Sequence, residues 1–427
     1  MIEQSTIVAL SSGPAPAAIG VIRVSGPKAR EAVASLVGRV PSPRKATLCR
    51  LRDAAGHALD DALVLWFPGP RSATGEDLGE LHCHGGRAVV DAVQRALLAM
   101  PGLRAADAGE FTRRAFANGR IDLAEAEGLA DLLAAETELQ RASALANAQG
   151  ALSAQVTEWR GAVLRLSAQV EAALDFSDEG DVDELPEGFV ANIGQLREAL
   201  DSWLARPRSD KLGEGFCVTL AGPPNTGKST LFNALVESEA AITSPIAGTT
   251  RDALERSVSI KGVPFSFVDT AGLHDATQDP IERIGIERAR GAMDRADVVL
   301  WLGGEGEGPE RSWELSPRCD AKGFQAKAAA DFTLSALTGE GVSELKEALV
   351  IAARSNLPRP GEAALNERQH QILGEASGSL ARAERLSDLL LIGEELRTAR
   401  GAFDRLIGRA TTEDMLDTLF GRFCIGK

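Results

Sequence analysis

The chain has no stretch of 18 or more apolar residues, so no membrane span is expected. Its first residues, "MIEQSTIVALSSGPAPAAIGVIRVSG", lack a basic start leading into a sustained apolar run and read as a strand rather than a secretory signal. Cysteine is sparse. Cys49, Cys83, Cys217, Cys319 and Cys424 form neither a CxxC pair nor a disulfide spacing, which points to a reducing cytoplasm. Basic residues are outnumbered, 46 against 61 acidic, for a formal charge of −15. A field of that sign repels nucleic acid on average, so any RNA contact needs a local basic patch such as Arg39 to Arg52 or "FTRRAF". No GxGxxG opens a helix after a strand, so the chain lacks a flavin fingerprint and a redox step would fall to a partner.

What is present is a soluble, multidomain texture. At 427 residues with 44% apolar and 25% charged content, two or three cores are expected. Residues 1–119 mix short apolar strands with helical stretches, an α+β pattern. From Leu123 an Ala-, Glu- and Leu-rich segment with 3.6-residue apolar spacing predicts long helices in an all-α bundle over 120–212. Over 213–355 strands ("FCVTLAG", "RSVSIKG", "PFSFVDT", "DVVLWLG", "DFTLSAL") alternate with helices, which predicts a doubly wound, mainly parallel sheet. Helical texture returns over 356–427, so the α/β domain reads as an insertion into a helical one.

The chemistry concentrates in the inserted domain. Gly222-Pro-Pro-Asn-Thr-Gly-Lys-Ser229 fits G-x-x-x-x-G-K-[ST] between a predicted strand and helix. Its amides, including those of Gly222, Asn225, Thr226, Gly227 and Thr230, can wrap a phosphate. Lys228 reaches the β- and γ-oxygens and Ser229 ligates Mg²⁺. "GTTRD" supplies Gly248, Thr249 and Thr250, the last for Mg²⁺ and the γ-phosphate. "DTAG" supplies Asp269, Thr270, Ala271 and Gly272. Three phosphate elements in this order imply nucleotide hydrolysis. After "DTAG" stands Leu273 and then His274, so no glutamine orients water, and no arginine finger is evident. Asn225 either offers a side-chain oxygen to a monovalent cation or only forms the tight turn.

For the base, Pro317-Arg318-Cys319-Asp320 stands where Asn-Lys-x-Asp is usual, and Ser335-Ala336-Leu337 fits the loop that closes over it. Asp320 either accepts from guanine or only caps a helix. "HCHGG" invites a zinc reading through His82, Cys83 and His84. Alternation on a strand sends these to opposite faces, and no further Cys/His cluster completes a site.

The P-loop, "AGTTRD", "DTAGL", "TGEDLGELHCHGG", "GEFTRRAFANGRIDLAEAEGLADLL" and the terminal "TTEDMLDTLFGRFCIGK" together resemble the bacterial tRNA-modification GTPase family MnmE (TrmE) along the whole chain. The resemblance implies an N-terminal folate-binding and dimerisation domain, a discontinuous helical domain and an inserted Ras-like G domain. It implies a cytoplasmic homodimer that acts with an FAD-containing subunit (MnmG, or GidA) on C5 of the tRNA wobble uridine, using GTP, Mg²⁺, K⁺ and a tetrahydrofolate one-carbon unit. DNA and membrane are not implied. By resemblance K⁺ falls to Asn225, Ser244, Ile246 and Thr249, and Mg²⁺ to Ser229 and Thr250. Glu282 is the acid acting on water, and folate falls to Arg23, Glu80, Arg120 and Lys427. Arg120 replaces a usual lysine, and Ser244 a usual threonine. Cys424 is expected near the one-carbon unit, carried on a tail that leaves the helical bundle after Gly421. A ribosome-assembly GTPase is the alternative, opposed by the acidic composition.

Overall fold

A computed structural model describes residues 5–175, 185–237, 240–241, 255–270, 291–310, 312–410 and 413–426. Two compact units divide the chain, 1–130 with 404–427 and, separately, 131–403.

The first unit is built on a sheet of six strands: β1 (Thr6–Leu10), β2 (Ile19–Ser25), β3 (Thr47–Arg52), β4 (Ala58–Phe67), β5 (Leu78–His84) and β6 (Leu103–Ala105). Their order is β3-β4-β5-β2-β1-β6, antiparallel except for β1 with β6. Period-2 alternation sorts the side chains. Val8, Ile22, Val24, Leu81 and Cys83 face the helices Ala29–Val37 and Arg87–Leu98. Ile7, Ala9 and Leu78 pack on the other side against Phe111. On that second side β2 and β5 set Arg23 opposite Glu80.

Arg114, in the helix Glu110–Ala117, is only 1% exposed. It donates to Glu110 at 2.8 Å and Glu76 at 3.1 Å, and Arg104 donates to Glu110 at 2.6 Å. Burial pushes the Glu110 carboxyl up, but Arg104, the Asp107 amide and Arg114 together hold it below its ordinary value. Its stabilising contribution is therefore full at neutral pH and lost as pH falls through the lowered pKa. Removing one partner of a buried ion pair strands the other. Arg114→Ala is expected to cost this unit about 3–5 kcal/mol, read as faster hydrogen exchange of the β2 and β5 amides; unchanged protection would make the network dispensable.

The second unit holds the strands β7 (Phe216–Ala221), β8 (Ala240–Ala241), β9 (Glu255–Ile260), β10 (Val263–Asp269), β11 (Val298–Trp301), β12 (Ser312–Pro317) and β13 (Phe332–Leu334). The order is β13-β12-β11-β7-β10-β9-β8, parallel from β13 to β10 and antiparallel beyond. Val218, Leu220, Phe265, Phe267 and Leu300 form its core with residues of the helices Lys228–Val236 and Val342–Asn356. The helical segments Glu138–Ala148, Ala151–Asp175, Phe189–Leu204, Glu367–Ala383 and Leu389–Leu406 match the 3.6-residue apolar spacing. Trp159 meets Trp203 edge-on at 5.6 Å and lies 6.0 Å from Phe403, so both tryptophans are core residues.

The expected alternation of strand and helix fails in two places. Residues 302–310 and 318–331 lie between parallel strands without any described helix, and β12 is not among the expected strands. The first crossover reads "LGGEGEGPER", and each interior glycine costs a helix about 1 kcal/mol relative to alanine. It folds back instead, with the Trp301 indole donating to the Gly304 carbonyl at 2.8 Å.

Candidate functional site

β7 delivers the chain into the Gly222–Thr226 loop, and the helix Lys228–Val236 leaves it. Gly222 has φ 142, and a Cβ there would stand 2.9 Å from the Gly303 amide nitrogen, so only glycine fits between the two loops. Lys228 is 3% exposed and donates to the carbonyls of Gly222 at 2.9 Å and Pro223 at 2.7 Å, which lays its ammonium across the loop. Thr226 Oγ1 donates to the Pro223 carbonyl. Ser229 and Thr230 are exposed on the first helical turn. Asp269, at the end of β10, pairs in register with Leu220 and is buried, and Thr270 Oγ1 donates to the Leu220 carbonyl at 2.7 Å. These groups suit a phosphate with a hard cation: loop amides, one ammonium, a hydroxyl and a carboxylate.

On the base side a cavity of about 280 Å³ is lined by Gly227, Thr230 and Leu231, by Pro317, Arg318 and Asp320, and by Ser335, Ala336 and Leu337. Two loops that follow β12 and β13 thus meet the phosphate loop. The Cys319 amide donates to the Leu334 carbonyl at 3.2 Å, and the Ser335 amide to that of Glu340 at 2.9 Å. No described helix begins at Asp320, so a capping role has nothing to cap there. Two non-glycine residues of this site carry left-handed backbones, Asn225 at φ 62 and Arg318 at φ 63. Asparagine is among the few non-glycine residues that tolerate this region, so Asn225 does form the turn, and its side chain stays available.

In sequence Arg318 stands only as a replacement for lysine. Its Nη2 donates to the Asn225 carbonyl at 2.7 Å across 93 residues, a contact that no local spacing announces. Ser244, Ile246, Gly248, Thr249, Thr250, Ala271, Gly272, Glu282 and Lys427 lie outside the described residues.

In the first unit Arg23 Nε donates to Glu80 at 2.9 Å, and His82 lies 3.3 Å from the same carboxylate. Nothing in the sequence motifs joins His82 to this pair except its i, i+2 spacing from Glu80 on a strand. Arg120 is exposed against Gly75, beyond the helix Glu110–Ala117, rather than in the Arg23–Glu80 pair. Cys83 points the other way, into the core, where burial and then Asp60 push its thiol up to about 12. His84 instead contacts Asp60 at 2.7 Å. A buried, protonated thiol facing away from both histidines is a poor metal ligand.

The C-terminal tail packs on this same unit. The helix Glu413–Phe420 is tied to Arg113 through Glu413 and Asp417, and Gly421 follows its end. Phe423 is buried and Cys424 exposed, so the thiol is not filling the core beside that ring. The Cys424 carbonyl accepts from the Gly109 amide at 3.5 Å, and Ile425 bridges Ala108. Ser11 Oγ donates to the Gly426 carbonyl at 2.7 Å. Gly426 has φ 97, and a Cβ there would come within 2.2 Å of the Leu10 carbonyl oxygen. Because Ala9 opposes Arg23 and the Ser11 amide donates to Val21, alternation puts Ser11 on the sheet face that carries Arg23 and Glu80.

A strand–loop–helix for phosphates, a buried carboxylate on the neighbouring strand and a base cavity closed by two loops define a P-loop domain of the GTP-binding class. Residues 6–120 match the family model for the GTP-binding protein TrmE N-terminus, and residues 123–424 that for the MnmE helical domain. The chain belongs to the MnmE family. The protein called tRNA modification GTPase MnmE in Erythrobacter litoralis is 64% identical over 422 residues, covering 99% of this chain and 100% of the relative. Its namesake in Novosphingobium aromaticivorans is 60% identical, covering 99% of each. Among solved structures, the FeoB G-domain from Methanococcus jannaschii is 25% identical over 33% of this chain and 98% of that chain, with a TM-score of 0.23.

Proposed function

We propose that this chain is a K⁺-dependent GTPase that, as a cytoplasmic homodimer with an FAD-containing MnmG-like subunit, takes part in aminomethyl-type modification at C5 of the tRNA wobble uridine. Membership of the MnmE family carries the reading. The domain division 1–119, 120–212, 213–355 and 356–427 belongs to the same proposal. No helix among the described residues is long and apolar enough to cross a membrane.

In the G domain the loop amides and Lys228 bind and orient the phosphates, and Ser229 with Thr250 holds Mg²⁺, which supplies charge neutralisation. Asp320 accepts from the base, and Ser335, Ala336 and Leu337 cover it. Asn225, Ser244, Ile246 and Thr249 hold K⁺ where other enzymes place an arginine, and Glu282 aligns water. In the first unit Arg23, Glu80, Arg120 and Lys427 would hold a tetrahydrofolate derivative, which would supply a one-carbon unit. Here Glu80 already anchors Arg23 and His82, so a pterin would meet a preset donor–acceptor edge.

Nucleoside analysis of tRNA from a strain lacking the protein tests the whole reading. Loss of the C5-modified wobble uridine is expected, and intact modification with defective ribosome assembly would favour a binding switch. For the cation, hydrolysis should rise with K⁺ and not with Na⁺, and Asn225→Ala should lose that stimulation. Normal turnover of Asn225→Ala in Na⁺ would leave Asn225 as a turn residue only.

A further inference from the structure

The contact between Arg318 and Asn225 joins the base loop to the phosphate loop. We propose that Arg318 is a positioning residue for Asn225, so that occupancy of the base cavity and retention of the monovalent cation are coupled through one guanidinium. This rests on the reading of Asn225 as a cation ligand.

Asn225 occupies a sparsely populated backbone region that asparagine tolerates better than most residues, and surrounding contacts help to hold it there. Arg318 supplies one such contact, its Nη2 standing 2.7 Å from the Asn225 carbonyl oxygen. The arginine is itself aimed by its surroundings. Its own φ is 63, and the next amide, Cys319, is tied to the Leu334 carbonyl at 3.2 Å. Its Nε lies 3.6 Å from where a Cβ on Gly227 would stand, so the guanidinium spans the loop from Asn225 to Gly227.

Fixing the Asn225 peptide also fixes the direction of its Cα–Cβ bond, and staggered rotamers then leave the carboxamide few orientations. Arg318 lines the base cavity as well. A base in that cavity restricts the guanidinium, the guanidinium restricts the Asn225 peptide, and the carboxamide is preset for a cation. A planar fork with several fixed donors can serve base and loop together, which a lysine ammonium does less rigidly.

The test is binding, at equilibrium, of a fluorescent non-hydrolysable GTP analogue to the full chain, titrated with KCl at constant ionic strength against NaCl. Arg318→Ala is expected to raise the K⁺ midpoint about tenfold, within the usual range of site-to-site coupling. Arg318→Lys is expected to recover part of that shift. At saturating GTP, hydrolysis should show the same displaced K⁺ midpoint. A role in base contact alone would weaken the analogue equally in K⁺ and Na⁺ with the midpoint unmoved, and that result overturns the inference while leaving the cation reading intact. Wild-type protein that binds and hydrolyses equally in both salts removes the cation reading and this coupling with it. Should Arg318→Ala fail to fold, Arg318→Gln, which stays polar but is two bonds too short to place a donor where Nη2 stands, carries the same comparison.

Discussion

An Asp320→Asn protein is expected to exchange its preference for GTP for a preference for XTP. A carboxylate can accept from both N1–H and the exocyclic amine of guanine; xanthine replaces that amine by a carbonyl, which an asparagine amide can meet by donating. Hydrogen bonds to a charged group contribute roughly 1.5–3 kcal/mol each, and 1.36 kcal/mol is tenfold in affinity. Two of them make the preference worth on the order of a hundredfold or more. Asp320 lines the cavity together with Ser335, Ala336 and Leu337, and no described helix starts there to give it a different task. Pro317, where asparagine is usual, brings no side-chain hydrogen-bonding group. The wild-type protein should therefore discriminate against ATP less sharply than a relative with the full motif, because fewer buried polar groups are left unpaired by the wrong base. Competition of GTP, ATP and XTP against a fluorescent GTP analogue measures both effects. A variant that still prefers GTP over XTP would show that Asp320 does not read the base.

The phosphate side was legible because its chemistry is local. Glycines, lysine and hydroxyl must follow one another within eight residues for a loop to wrap a phosphate, and the flanking β7 and helix Lys228–Val236 are equally plain in the apolar pattern. The strands β2 and β4 were legible for a similar reason, as short apolar runs, whereas β3 and β6 were not. The base side was less so. β12 reads "SWELSP", too polar and too close to proline to announce a strand, and it is held by pairing with β11 and β13 rather than by its own preference. The first helix-free crossover follows from its glycine content, whereas 318–331 holds one glycine and nothing in its composition excludes a helix. Contacts such as Arg318 with Asn225, or Arg114 with Glu76, lie in tertiary geometry, whereas Arg114 with Glu110 is an i, i+4 pair on one helix. An arginine in sequence carries no sign of whether it will meet solvent or a carbonyl 93 residues away.

A Cys424→Ser protein is expected to hydrolyse GTP at the wild-type rate and to leave the tRNA wobble uridine without its C5 group. Four of the five cysteines are poor nucleophiles on physical grounds. Burial raises the thiols of Cys49, Cys83 and Cys217, the last to about 11, and desolvation with Glu340 raises that of Cys319. Cys424 alone is exposed. Exposure by itself would say little, but the backbone on either side of it is fixed. Phe423 is sunk in the cluster with Leu416, Leu419 and Phe420, while Gly426 is held by Ser11 beside the Leu10 carbonyl. The thiol is thus presented from an anchored strap on the unit that carries Arg23, Glu80 and His82. A serine there keeps shape and polarity and removes only the soft, ionisable sulfur, so folding and tail seating should survive the change. None of these groups belongs to the phosphate loop or the base loops, which is why hydrolysis is expected to be untouched. Mass analysis of tRNA nucleosides from a strain carrying only Cys424→Ser, beside a GTPase assay of the purified variant, separates the two activities. Full modification in that strain would reduce Cys424 to an exposed residue of the strap, and loss of hydrolysis as well would point to a folding defect.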